Sequence, residues 1–129
     1  APYDVYTSYP GCTVHNEMNL HFVKEPKESL LKRSGVCIHD GSAYITNLCH
    51  CFSIPQIIIP TSSCISRFHA FSVRRIGSGV VISPDQVDVA TIYEAYRMCL
   101  INDSLAEKLH SISSDYLKEG DLTKLLTLL

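Results

Sequence analysis

The chain has 129 residues, of which 46% are hydrophobic and 19% are charged, and its formal net charge is −2. These values fit one globular domain and exclude a disordered tail. No run of about 18 apolar residues predicts a membrane span, and the small negative charge offers no whole-chain attraction for nucleic acid. We therefore expect a single soluble domain over residues 1–129.

Short β-rich segments separated by Pro and Gly fill residues 1–82. β-Branched residues flank Asp40-Gly41 on both sides, and this pattern predicts a β-hairpin with that pair as its turn. Ile57-Ile58-Ile59 lies between two prolines and predicts a short buried strand. Residues 68–73, a Gly-Ser-Gly turn and residues 80–82 predict a second hairpin.

Helical signals begin at Ser83. Ser83 is a candidate N-cap, Pro84 suits the first helical position, and apolar residues at helical spacing predict a helix over residues 84–101. Asp103 can cap a second helix. Leucines over residues 121–129 predict a short third piece.

Together these elements predict an α+β fold, with short antiparallel strands in residues 1–82 and two or three helices in residues 83–129. The first part is slightly basic and the second is acidic. The basic side chains form a candidate surface for a protein, an anionic ligand or nucleic acid. These candidates are Lys24, Lys27, Lys32, Arg33, Arg67, Arg74 and Arg75. Leu125 and Leu129 on the last apolar face are candidates for self-association.

Most of the cysteines and histidines lie between Cys12 and His69. Zinc is bound by four nitrogen or sulfur ligands at tetrahedral corners, and the candidate ligands are Cys12, His15, Cys37, His39, Cys49 and Cys51. However, a hairpin at Asp40-Gly41 would separate Cys37 from Cys49 by roughly 17 Å along the ladder. The other interpretations are disulfides, or free thiols in a reducing compartment, which slightly favours an intracellular protein. No cofactor other than zinc is expected.

A nucleophilic cysteine with a histidine base is a further interpretation, with Cys49, His50, Cys51 and His69 as candidates. The segment Ser34-Gly35-Val36-Cys37-Ile38-His39-Asp40-Gly41-Ser42-Ala43-Tyr44-Ile45-Thr46-Asn47-Leu48-Cys49-His50-Cys51 resembles the strand-turn-strand that leads to the catalytic histidine of chymotrypsin-like proteases. Gly77-Ser78-Gly79-Val80-Val81 resembles the serine loop of the same family. The resemblance implies a protease with His50 and Ser78 as its site residues.

No paired carboxylates, Gly-rich nucleotide loop or complete catalytic triad is recognisable in the sequence. The leading hypothesis is therefore a non-enzymatic binding or assembly module, of viral or processed eukaryotic origin, that acts through protein contacts and self-association. A zinc-stabilised Cys/His-rich binding module is one alternative. A Cys/His-dependent, protease-like hydrolase that uses the N-terminal cluster is the other.

Overall fold

The computed structural model describes residues 5–7, 20–22 and 35–118, and all of the strand pairs in this part of the chain are parallel. The strands are β1 (Val5–Thr7), β2 (Leu20–Phe22), β3 (Cys37–His39), β4 (Gln56–Ile58) and β5 (Gly79–Val81). The helices are α1 (Ala43–Cys51), α2 (Cys64–Ile76), α3 (Val89–Ile101) and α4 (Asp103–Lys118). Strands β1 and β2 pair with each other, and a second sheet has the order β3-β4-β5. Helices α1 and α2 therefore each connect two adjacent parallel strands.

The predicted hairpin at Asp40-Gly41 is wrong, because these residues form the turn between β3 and α1. Only Gly41 of the pair has a positive φ, at +91°, whereas the common two-residue hairpin turns need a positive φ at the first central residue, which would be Asp40. Ser42 then has an extended backbone, and its hydroxyl accepts the amide of Ile45 as the N-cap of α1. The chain after the turn therefore winds into a helix instead of returning as a strand.

The predicted second hairpin is also wrong. Residues 68–73 lie within α2, which begins after the N-cap Ser63 and ends at Gly77, whose φ is +82°. Residues 79–81 form β5, which runs parallel to β4. The predicted antiparallel α+β arrangement is thus replaced by alternating strands and helices around a parallel sheet.

Strand β4 lies at the centre of the three-stranded sheet and is buried along its whole length. Ile58 packs with Ala70 and Val73 of α2, whereas Ile57 points to the other face and packs with Ala95 and Cys99 of α3. The predicted buried strand in this region is confirmed. A central parallel strand covered on both faces needs a continuous apolar run, and the isoleucines provide it.

The predicted helix over residues 84–101 is confirmed for Val89–Ile101, but the predicted N-cap Ser83 makes no side-chain capping bond. A 3₁₀ turn, Pro84–Gln86, precedes α3, and Asp88 caps α3 in a reciprocal capping box with Thr91. The second predicted helix is confirmed as α4, but its cap is Asn102, whose Oδ1 accepts the Leu105 amide at 3.1 Å, and not Asp103. Helix α4 packs on α1, where the Ser113 hydroxyl donates to the Cys51 carbonyl at 2.8 Å.

Other predictions fall outside the described residues or remain untested. The third helical piece, with Leu125 and Leu129, lies outside the described part of the chain, as do Lys24, Lys27, Lys32 and Arg33. That residues 1–129 form one domain stays a prediction. None of the helices that the structure describes has the length and hydropathy of a membrane span.

The approach of β5 to β4 gives a test of the parallel sheet. A Cβ at Gly79 would overlap the backbone oxygen of Gln56 and press on Val73, whereas a Cβ at Gly35 would meet nothing within 4 Å. We expect Gly79→Ala to lower the free energy of unfolding in urea by about 1–3 kcal/mol. Gly35→Ala is the matched control and should change it by less than about 1 kcal/mol. Equal effects of the two substitutions would contradict the β4–β5 pairing.

Candidate functional site

The carboxyl ends of β3, β4 and β5 lie at one edge of the sheet because the strands are parallel. After each strand the chain turns into a helix that begins at this edge, with N-caps Ser42, Ser63 and Asp88 for α1, α2 and α3. The first-turn amides of a helix have no partners within it and carry partial positive charge. Ligands of open α/β sheets bind in the crevice outside the carboxyl ends of the strands. This edge is therefore the candidate site.

Helix α2 holds the turn between β3 and α1 through two hydrogen bonds. The hydroxyl of Ser66 donates to the carbonyl of Asp40, and Nδ1 of His69 donates to the carbonyl of Gly41 at 3.0 Å. A Cβ at Gly41 would lie 2.8 Å from the backbone oxygen of Ser66. Glycine is thus required here both by its left-handed backbone and by the close approach of α2.

His39, the last residue of β3, also forms a hydrogen bond to this turn. Its Nδ1 accepts the Gly41 amide at 3.0 Å, and its Nε2 lies 2.6 Å from Oε1 of Gln56. A backbone amide can only donate, so Nδ1 is unprotonated and Nε2 carries the proton that is donated to Gln56. Burial lowers the pKa of His39 from its ordinary value. The imidazole is therefore neutral, and the backbone N–H and C=O of Gly41 are each hydrogen bonded to a histidine.

Gln56 connects this turn to the inside of α1. The side chain is fully buried at 0% exposure, and its amide nitrogen donates to the carbonyl of Thr46 at 3.4 Å. The hydroxyl of Thr46 in turn donates to the carbonyl of the N-cap Ser42 at 2.7 Å. A chain of buried and half-buried hydrogen bonds thus links β3, β4 and the first turn of α1.

His50 and Ser78, the two residues that the protease resemblance implies, do meet in the structure. Nε2 of His50 lies 2.9 Å from the hydroxyl of Ser78. However, Ser78 is 0% exposed and His50 is 5% exposed, so no substrate reaches the hydroxyl. Ser78 lies before a strand of a parallel α/β sheet instead of between two β-barrels. The pair is a buried polar contact, and the protease interpretation is wrong.

Cys37 and Cys49 also come together, contrary to the separation expected from a hairpin. Their thiols are hydrogen bonded, and this bond lowers the pKa of Cys37. The same bond raises the pKa of Cys49, and burial raises that pKa further. The 17 Å estimate fails because α1 brings the chain back over β3. Cys49 is 0% exposed, which makes it an inert core thiol and not a nucleophile.

The remaining candidate ligands and nucleophiles do not assemble into a centre in the described residues. Both ring nitrogens of His39 are bonded within the protein, and Cys51 is half-buried at the end of α1. No group of three or more metal-ligating side chains occurs among residues 5–7, 20–22 and 35–118, and the five cysteines there form no disulfides with one another. Cys12 and His15 lie outside this part of the chain.

The three arginines of the predicted basic surface, Arg67, Arg74 and Arg75, lie exposed on α2. His39 and His69, the candidates for metal binding and for catalysis, lie beside Gly41 instead. No pattern in the sequence singled out Ser66 or Gln56. The one local signal was Gly41-Ser42, a glycine followed by an N-cap residue directly after a strand.

Comparisons with known proteins identify the fold. No family model and no curated protein matches the sequence. Among solved structures, the glycosyltransferase VinC in complex with dTDP superposes with a TM-score of 0.77 at 16% identity, over 90% of this chain and 30% of VinC. CalG4, the calicheamicin glycosyltransferase, gives 0.74 at 22% identity, over 82% and 28%. The spinosyn forosaminyltransferase SpnP gives 0.74 at 21% identity, over 86% and 29%.

At these identities the likeness shows the fold, which is the Rossmann-like parallel-sheet architecture of GT-B glycosyltransferases. This chain spans 28–30% of the length of the three structures. The likeness contradicts the expected non-enzymatic binding or assembly module, because the proteins that share the fold are glycosyltransferases. The zinc-stabilised and protease-like alternatives and the viral origin find no support either.

The buried His50 predicts a pH dependence of stability. Burial, followed by smaller effects of the imidazoles of His39 and His69, lowers the pKa of His50 from 6.5 to about 4. Between these values the unfolded chain binds more protons than the folded one, so stability falls as the pH drops through this window. We expect His50 to account for a loss of about 3 kcal/mol between pH 7 and pH 4.

The measurement is urea unfolding at a series of pH values for the wild type, His50→Gln and the exposed control His110→Gln. The His50→Gln variant should lose less stability on acidification than the wild type, whereas His110→Gln should follow the wild type. A parallel pH profile for His50→Gln would show that this imidazole is not the buried neutral group described above.

Proposed function

We propose that this chain is the nucleotide-binding part of a glycosyltransferase, with a nucleoside diphosphate sugar at the carboxyl edge of the sheet. One observation carries the proposal: the chain superposes over 90% of its length, with a TM-score of 0.77, on a glycosyltransferase solved in complex with dTDP. dTDP is a nucleoside diphosphate, and the sugar donors of such enzymes carry this group. This chain spans 28–30% of the length of the three glycosyltransferases. On this proposal, glycosyl transfer therefore needs further protein in addition to this chain.

The diphosphate is the part of the donor that the candidate site is best able to bind. The turn Asp40-Gly41-Ser42 brings backbone close to the first turn of α1, where amides point outward and the helix dipole favours an anion. Gly41 lets the chain turn sharply into α1, because its left-handed backbone and its close approach to Ser66 leave no room for a side chain. Ser66 and His69 prevent the turn from moving when the ligand binds.

The same arrangement suits the chemistry of glycosyl transfer. When the bond between the sugar and the diphosphate breaks, negative charge develops on the leaving phosphate oxygen. Fixed amides and a helix N-terminus stabilise such charge without reorganising during the reaction. On this proposal, the residues of this chain bind and stabilise the leaving group, and an acceptor-binding part on the same or another polypeptide supplies the attacking hydroxyl.

Asp40 makes the proposal sharply testable because its carboxylate lies in the turn. Oδ1 of Asp40 accepts the Ser42 amide at 3.2 Å, and the side chain is exposed. A bound diphosphate would be repelled by this negative charge. Asp40→Asn keeps the acceptor oxygen and removes the charge, so we expect it to bind dTDP several-fold more tightly than the wild type.

Ser42→Asp makes the opposite change. Aspartate is as good an N-cap as serine, so α1 should stay intact while a carboxylate is placed at the proposed phosphate position. We expect dTDP affinity to fall about tenfold or more. Ser104→Asp, in the first turn of α4, is the matched control. Helix α3 begins at the carboxyl edge and leads away from it, and α4 begins where α3 ends. This control should bind dTDP like the wild type.

The measurement is a calorimetric or NMR titration of each variant with dTDP, using thymidine as the ligand that lacks the diphosphate. Equal affinity for dTDP and thymidine, or equal affinity of Ser42→Asp and Ser104→Asp, would show that the diphosphate is not bound at this turn. Failure of the wild type to bind any nucleoside diphosphate at millimolar concentration would refute the proposed function.

A further inference from the structure

Helix α2 has an apolar surface on the side that faces away from the protein. Its inner side chains, Ser66, Ala70 and Val73, are buried against the sheet. Phe68 and Phe71 nevertheless remain 64% and 63% exposed on the outer side. A helix on a soluble domain normally presents polar side chains there. Large exposed apolar patches mark sites of interaction.

The charged residues of the same helix are all basic. Arg67, Arg74 and Arg75 are exposed, and the sequence Cys64–Ile76 contains no acidic residue. Arg67 and Arg74 are seven residues apart and therefore lie along one flank of the helix, while Arg75 follows Phe71 by four residues and lies beside it. The surface is thus both apolar and cationic, and we call it the α2 outer face. It consists of Ile65, Arg67, Phe68, Phe71, Arg74 and Arg75.

A fourth cation lies at the end of this helix. A Cβ at Gly77, the left-handed residue that ends α2, would lie 2.9 Å from Nζ of Lys108. The ammonium group of α4 therefore reaches over the carboxyl end of α2, where the helix dipole favours it. Positive charge accordingly runs from the first turn of α2 to its last.

We propose that the α2 outer face binds the surface of a membrane that contains anionic phospholipids. Arginines pair with lipid phosphates through their planar guanidinium groups, and exposed phenylalanine and isoleucine side chains enter the boundary between headgroups and acyl chains. The combination of apolar and exclusively basic side chains is complementary to such a surface. Binding is peripheral on this proposal, because the inner side of α2 stays packed on the sheet while the outer side contacts the lipid.

The geometry favours a lipid surface over an acidic protein. Ile65, Phe68 and Phe71 are each more than 60% exposed and project from the convex outside of a helix. A bilayer accommodates projecting side chains without a shaped pocket, whereas a protein partner must supply one. The helix is already fixed to the sheet by its inner side, so no ordering of the chain opposes its binding to the membrane.

The test is co-sedimentation of the protein with vesicles of phosphatidylcholine alone and of phosphatidylcholine mixed with phosphatidylserine. The wild type should sediment with the anionic vesicles only, and added salt should release it. Neutralising one arginine should weaken binding about fivefold, so Arg67→Gln/Arg74→Gln/Arg75→Gln should abolish it at the same vesicle concentration. Phe68→Ser/Phe71→Ser should also lose binding, because no apolar side chain then enters the bilayer.

Helix α3 offers matched controls, since it also exposes an aromatic and an arginine side chain. Tyr93 is 59% exposed, and Arg97 is exposed on the same helix. Tyr93→Ser and Arg97→Gln should therefore bind anionic vesicles like the wild type. Circular dichroism and thermal melting show whether each variant is folded, and exposed side chains of this kind are replaced with little loss of stability.

Three results would overturn the proposal. The first is that the folded wild type ignores anionic vesicles, and the second is that Phe68→Ser/Phe71→Ser binds them as well as the wild type does. The third is a self-associated wild type that Phe68→Ser/Phe71→Ser dissociates, without vesicle binding, which would make this face a protein interface. Vesicle binding is measured without nucleotide, so the result is independent of the proposed glycosyltransferase function.

Discussion

The backbone N–H and C=O of Gly41 are the groups on which the architecture depends. Its amide donates to His39 at the end of β3, and its carbonyl accepts from His69 on α2. These two bonds fix a left-handed turn that directs the chain into α1. Because the chain enters a helix here, the next strand is reached by a crossover and pairs in parallel. The same turn also places the N-terminus of α1 at the carboxyl edge of the sheet, where we propose that a diphosphate binds.

The inside of the protein is polar but uncharged around this turn. Gln56 joins His39 to α1, and His50 contacts Ser78 beneath the same helix. Burial lowers the pKa of both histidines, so each imidazole is neutral and serves as a hydrogen-bonding group. Neutral networks of this kind hold a turn in one conformation at a smaller desolvation cost than an ion pair. A turn that is fixed in advance can bind an anion without first becoming ordered.

Helix α2 has different chemistry on its two sides. The inner side holds the turn through Ser66 and His69, and the outer side presents phenylalanines and arginines to solvent. In our proposals the inner side supports a nucleotide site and the outer side contacts a lipid surface. A membrane-bound protein would therefore have its candidate site at a fixed orientation to the bilayer, because both depend on one rigid helix.

The sequence by itself determined the local elements whose signals are local. The isoleucine run of β4 and the two helices after Ser83 follow from short-range patterns, although the capping side chains are Asp88 and Asn102 and not Ser83 and Asp103. Only the tertiary structure decided the strand direction. An Asp-Gly pair after a strand is compatible with a hairpin or with a helix start, and two of the bonds that hold the helix start come from Ser66 and His69, more than twenty residues away. The same holds for the site. Cys37 contacts Cys49, and His50 contacts Ser78, only because α1 folds back over the sheet. The spacing of these residues along the chain does not predict either contact.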